Sequence, residues 1–281
     1  MHYLILTILC STTIALILKH SDTKRGEPIV LLAGNYFVAS VISLGIYIFN
    51  EDTSFSYQTI LFGTCLGLLF VFSFFSFAKA VSNSGTALAT VSSRLSVIIP
   101  ITFSVVIYSE VPSSYNLIGF LFTFFTLILF YFSIAGQDST GDNFNKYFYL
   151  FVTLVGIGIS DFCLKIFNNW RPHSEEPLFV LIIFTSAFLY SLLFIVIRKV
   201  RIEKHTLLLG TGLGVPNVFS TYFLLGALSL LPAILVYPVV NVGIIIFTAI
   251  FAYLFWKEEI NTFGKWALVT GVVAIVFLSL K

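Results

Sequence analysis

Residues 61–99 are written a second time, with the same spacing, at 208–246. Gly63, Thr64, Leu66, Gly67, Val71, Phe72, Ser73, Ala80, Ser82, Leu88, Ile98 and Ile99 recur 147 positions later as Gly210, Thr211, Leu213, Gly214, Val218, Phe219, Ser220, Ala227, Ser229, Leu235, Ile245 and Ile246. Shared apolar bias alone does not hold two Gly, a Thr and two Ser in one register. The chain therefore reads as a duplication of about half its length, and an internal repeat restricts the fold more than any single motif, because one unit must serve twice.

Composition decides where the two units live. The chain is 58% apolar and 17% aromatic with only 10% charged residues, whereas soluble domains carry roughly 25% charged residues. A membrane-crossing helix needs about 20 apolar residues, and ten runs approach or exceed that length: 2–18, 28–49, 57–79, 85–108, 115–135, 146–167, 177–197, 206–229, 232–256 and 263–280. A transmembrane barrel would alternate apolar and polar residues, and this chain does not. Residues 2–18 lack a basic leader and a small-residue cleavage site, so the first segment is expected to stay as a short membrane helix. Cys10, Cys65 and Cys163 lie far apart in apolar runs and form neither a disulfide framework nor a metal cluster. The net charge of +2 points to no nucleic-acid partner.

One connection is long, the Gly-, Asp- and Asn-rich stretch 136–145, and it divides the chain into a first repeat (1–135) and a second (146–281). The weaker first halves also correspond. Tyr3 and Lys19 match Tyr149 and Lys165, while Glu27-Pro28 matches Glu176-Pro177, each proline falling at a helix start where its missing N–H has no intrahelical partner. Five crossings per repeat put the second copy upside down relative to the first. The expected class is an all-α integral membrane protein of ten transmembrane helices in two inverted five-helix repeats, a scaffold of many secondary transporters, with the solute site at the midplane between repeats. Ten Lys and Arg residues fall in the connections after odd-numbered segments, against Arg171 and Lys281 on the other side. Basic short loops stay cytoplasmic, so this count places both termini outside the cytoplasm. The run Arg198-Lys199-Val200-Arg201-Ile202-Glu203-Lys204 carries much of that asymmetry and reads as an anchor beside anionic lipid headgroups.

The end of each repeat resembles a known family. Ser109-Glu110-Val111-Pro112 leads nine positions on to Gly119, and Lys257-Glu258-Glu259-Ile260 leads to Ala267 and Gly271. This pattern is similar to the EamA-type members of the drug/metabolite transporter superfamily. The resemblance implies ten helices in two repeats and transport of a small metabolite such as an amino acid or sugar. It also implies cytoplasmic termini, opposite to the loop-charge count.

Arg94 is the most pointed residue. It lies nine residues into the fourth segment, roughly 13 Å along a helix, and an Arg at mid-membrane costs about 2.5–3.5 kcal/mol unless it faces a cavity or counter-charge. It is a candidate to hold a carboxylate or phosphate through paired hydrogen bonds, the alternatives being a structural ion pair or snorkelling. Its repeat equivalent is Asn241. Thr90 and Tyr237 lie one turn earlier on the same faces, so the fourth and ninth segments are expected to present these pairs to one cavity. Pro238 either shapes that site or only kinks the helix. Asn217, Ser220 and Tyr222 in the eighth segment and Ser73 in the third complete the candidate solute site, with Asn217 equally readable as interhelical glue. Asp161 and Lys165, four apart, are expected to neutralise one another, and Asp161 is a candidate proton-coupling carboxylate. The repeated Gly-Thr-x-Leu-Gly is read as helix packing, since no strand precedes it and no Lys follows.

No HExxH, Walker or Ser/His/Asp arrangement occurs, and the four histidines lie at ends or in loops, so neither an enzyme nor direct ATP use is expected. No cofactor or metal is expected. The expected function is a secondary transporter or exporter of a small organic solute, with membrane lipid and a coupling ion or proton as further partners, in the cell membrane. A flippase for a lipid-linked group and a non-transporting scaffold or receptor are the alternatives.

Overall fold

Pro28 opens the second helix and Pro177 falls in the first turn of the seventh, as the Glu-Pro pairs predict. In the computed structural model, which describes residues 2–22, 27–50, 54–134, 143–256 and 261–280, the helices are α1 (His2–Asp22), α2 (Pro28–Phe49), α3 (Tyr57–Leu95), α4 (Ile98–Tyr108), α5 (Ser114–Ile134), α6 (Asn143–Trp170), α7 (Glu176–Arg198), α8 (Lys204–Leu230), α9 (Ala233–Trp256) and α10 (Thr262–Ser279). No strand occurs among the described residues. Among the described residues nine spans are long and apolar enough to cross a membrane, and residues 2–18 form a shorter apolar helix. Large apolar side chains such as Phe49, Leu121, Val196 and Phe255 are exposed, which in a bilayer means solvated by lipid.

The third and fourth membrane spans, Tyr57–Val81 and Ala89–Tyr108, fall where the third and fourth segments place them, although helical backbone is assigned from Tyr57 to Leu95 and a further break comes at Ser96 and Val97. Pro100 explains that break, since its ring carries no N–H for the Ser96 carbonyl and crowds it, and Val97 and Ile99 bond three residues back, to Arg94 and Ser96. The chain nevertheless reverses within α3. A Cβ on Gly156 would touch Ser73, while Ser92 donates to the Leu150 carbonyl and Gly158 lies against Ser96 and Ile99. Positions 73 and 92 would lie about 28 Å apart on a straight helix, yet their contacts on α6 are only about 9 Å apart. The first arm of α3 thus runs antiparallel to α6 and the second arm parallel to it. Of the expected connection at 136–145, residues 143–145 already belong to α6, and 135–142 lie outside the described residues.

Packing follows the repeated glycines. The first copy lies on α7: a Cβ on Gly67 would fall 2.1 Å from the Ser186 hydroxyl and 2.6 Å from the Ile183 carbonyl. The second copy lies on α2, where a Cβ on Gly210 would fall 2.2 Å from the Leu31 carbonyl. Both are backbone-to-backbone approaches that only glycine permits. α6 packs against α3 and α4, and α1 correspondingly against α8 and α9, while α5 pairs with α10. Leu32, Tyr36, Phe179, Phe184 and Tyr237 are among the buried residues of the shared core.

Candidate solute site and its flanking ion pair

Arg94 sits on the second arm of α3 and donates from Nη1 to the Asn241 Oδ1 of α9 at 3.3 Å. The two residues occupy equivalent positions in the repeated register, so the duplicated helices meet at this point. Asn241, buried, donates in turn to the Tyr237 carbonyl at 3.0 Å, and the Tyr237 hydroxyl donates to the Asp161 carbonyl of α6. The Asp161 carboxyl is close enough to Arg94 for their charges to act on one another directly. Arg94, Asn241, Tyr237 and Asp161 therefore form one polar cluster within an apolar bundle. Asn241 lies eight residues into α9 and Asp161 nine residues before the end of α6, about 12–13 Å from the membrane-facing helix ends. α6 is longer than the sixth segment was expected to be, so Asp161 is deeper than a helix-end residue.

Lys165 does not pair with Asp161. Its ammonium lies 2.8 Å from the Glu110 carboxylate, both side chains being largely buried, and 5.6 Å from the Tyr108 ring. Asp161 points its interaction at Arg94, and the vacant first turn of α9 supplies the reason for the exchange. Glu110 accepts from the backbone N–H of Ala233 at 3.1 Å and of Ile234 at 3.0 Å, two of the unpaired donors at a helix start where a carboxylate is favoured. Ser109, in a left-handed conformation at the end of α4, turns the chain so that Glu110 reaches α9. Pro238 does not break α9, which runs through it.

The other candidates separate. Asn217 donates to Asn35 of α2 at 3.1 Å, and Ser220 shares a 2.7 Å hydrogen bond with Ser11 of α1. Both join helices. Ser73 is buried against Gly156, and the Tyr222 hydroxyl is buried without a hydrogen-bond partner among the described residues. Thr90 is half-buried on the Arg94 arm. Two grooves, of about 250 and 290 Å³, lie between α3 and α7 and among α2, α7 and α8. None of the expected site residues lines either one. The expected cavity between the fourth and ninth helices is occupied, around Arg94, by the direct contact with Asn241.

Sequence reasoning missed Glu110 as a helix cap and missed Asn35. It also missed a knot at the same membrane face, where Arg171 binds Glu175, Gln58 and Ser56. Glu110 carried a signal, a carboxylate directly after an apolar helix, but its partners are more than 50 residues away. Among the described residues no group of His, Cys, Asp and Glu is placed to hold a metal.

Residues 1–132 match the EamA-like transporter family. They belong to it. The EamA-like family is part of the drug/metabolite transporter superfamily, whose members move small solutes across membranes and are not enzymes. The chain is 26% identical over 287 residues to an uncharacterized protein of Haemophilus influenzae (strain ATCC 51907 / DSM 11121 / KW20 / Rd), covering 99% of this chain and 97% of that one. A solved crystal structure superposes on 99% of the chain and 95% of its own length with a TM-score of 0.79 at 15% identity. That likeness is one of fold. The nine membrane-length apolar helices among the described residues, with the likeness of residues 1–132 to that family, suggest a multi-pass membrane protein.

Proposed function

We propose that this protein is a secondary transporter of a small organic metabolite bearing a negative group, in the cell membrane. The repeats 1–135 and 146–281 are inverted and rock about the Arg94–Asn241 contact. The observation that carries the reading is Arg94. A guanidinium presents five N–H donors, and among the described residues Arg94 uses one, to a neutral amide at 3.3 Å. The remaining donors, at mid-depth in a low-dielectric bundle, suit a carboxylate or phosphate held by paired hydrogen bonds.

Inversion is supported by the exchange of glycine contacts, the first copy on α7 and the second on α2, and by the meeting of the equivalent residues Arg94 and Asn241. Asp161 supplies a route to coupling. Its carboxylate and an anionic solute compete for the same guanidinium, so binding the solute favours Asp161 taking up a proton, and proton and solute move together. Asn241 and Tyr237 hold the cluster; Thr90, Asn217, Tyr222, Ser73 and Ser220 line the path beyond it when the halves separate.

The test is counterflow in proteoliposomes with a panel of small carboxylates, organic phosphates and neutral metabolites, chosen by a thermal-shift screen. Flux of an anionic member that Arg94→Gln removes from a folded protein supports the reading. Undiminished flux in that variant overturns the site.

A further inference from the structure

The larger groove is apolar and opens beside the strongest positive charge on the chain. Ala33 and Phe37 of α2, Phe188, Leu192 and Ile195 of α7, and Ile202 after α7 form its wall, enclosing about 290 Å³. It extends along α7 from Ile195 to Phe188, seven residues or about 10 Å, and the Phe37 and Phe188 rings, 5.4 Å apart, stand at its inner end. The outer end coincides with the turn between α7 and α8. There Lys199 takes a left-handed conformation and Val200 N–H bonds back to the Ile195 carbonyl, folding the basic run over the groove mouth. Arg198, Lys199, Arg201 and Lys204 are all exposed. Arg198 lies 5.9 Å from the Phe194 ring, and the acidic residue of the run, Glu203, accepts from Thr206 at 3.3 Å. Ile195 and Ile202 line the groove, with Arg198 three residues after Ile195 and Arg201 directly before Ile202, so apolar slot and cationic rim are one continuous surface.

We infer that this surface is a binding site for one anionic phospholipid, an acyl chain lying between α2 and α7 and the phosphate held by Arg198, Arg201 and Lys204. The groove starts at the basic helix end and runs toward the membrane interior, a path along which a lipid is the molecule at hand. The acyl chain leaves no water on entering such a slot from the bilayer, so the slot contributes van der Waals packing, and basic pockets between membrane helices select acidic headgroups. A general electrostatic anchor needs the charges alone. This site needs the slot as well.

The experiment is native mass spectrometry of the full-length protein released from nanodiscs of equal phosphatidylglycerol and phosphatidylcholine. The expected result is one retained phosphatidylglycerol. Neutralising Arg198, Arg201 and Lys204 to Gln is expected to weaken retention roughly a hundredfold, at about a factor of five per charge. Leu192→Trp, which fills the slot and leaves every charge in place, is expected to abolish retention. Ile202→Asp, at the exposed mouth, gives the same readout if Leu192→Trp does not fold, and melting in phosphatidylcholine alone verifies that each variant is intact. Equal retention of both lipids, or full retention in an intact slot variant, overturns the proposal. Neither result bears on solute flux through Arg94, so the two readings fail independently.

Discussion

Two arginines of this chain sit in opposite chemical situations. Arg171, at the turn into α7, donates from Nε to Glu175 at 2.8 Å, from Nη1 to Gln58 at 2.7 Å, and from Nη2 to Ser56 at 2.8 Å and Glu175 at 2.5 Å. Its guanidinium also lies 5.3 Å from the Trp170 ring, and the buried Glu175 takes a further hydrogen bond from Thr59. The chain before α3, the end of α6 and the start of α7 are tied together there. Arg94 has one long hydrogen bond to a neutral amide and a carboxyl nearby. Arg171 spends four of its five donors on the protein and ties it together; Arg94, with one such bond among the described residues, is the charge that the proposed function assigns to the solute.

The largest expected effect tests the second half of that contrast. Arg94→Gln should lower anion flux by at least about a hundredfold, since two hydrogen bonds to a charged group, at about 1.5–3 kcal/mol each, are lost together. The thermal midpoint should barely move, because the residue carries little of the packing. Arg171→Gln should do the reverse: a fall in the thermal midpoint on the order of 5 °C in micelles, with flux per folded molecule unchanged. If Arg171→Gln stops transport in a folded protein while Arg94→Gln leaves it intact, the contrast is broken. Asp161→Asn sharpens it further. Accumulation driven by a proton gradient should fall about tenfold, while exchange of labelled for unlabelled solute continues, because a neutral amide cannot carry the proton. Equal loss of both would make Asp161 a part of the solute site and not of coupling.

The sequence shows much of this and hides a definite remainder. Apolar runs and helix-start prolines locate nine of the membrane-length spans, since length and polarity are local properties. Arg94 and Asn241 are paired by the repeat and meet in the structure, as equivalent positions would on the axis of the inversion proposed above. The partner of Lys165 was not legible. Spacing on α6 offers Asp161 one turn away, but Glu110 also answers the unpaired N–H groups of α9, a demand that exists only once α4 and α9 are side by side. The same holds for Asn217, whose partner Asn35 is brought in by glycines that let α2 and α8 approach. The closed form of the site was hidden too, for a cavity and a direct Arg–Asn contact require the same polar residues at the same depth.

The smallest effect separates these last two possibilities. Asn241 accepts from Arg94 and donates to the Tyr237 carbonyl, so it both occupies the guanidinium and fixes its direction. Asn241→Ala frees another Arg94 donor while removing one neutral hydrogen bond of about 1 kcal/mol. If the amide merely competes with the solute, apparent affinity should improve about fivefold. If it orients the guanidinium for paired contact, affinity should fall by the same factor, because a misdirected fork forfeits its geometry. We expect the fall, since Asn241 is itself held by Tyr237, whose hydroxyl is tied to α6, and an acceptor braced through two helices acts as a guide. A fivefold gain in affinity would recast Asn241 as a lid on Arg94. The midplane contact would then be one that every transport cycle has to break.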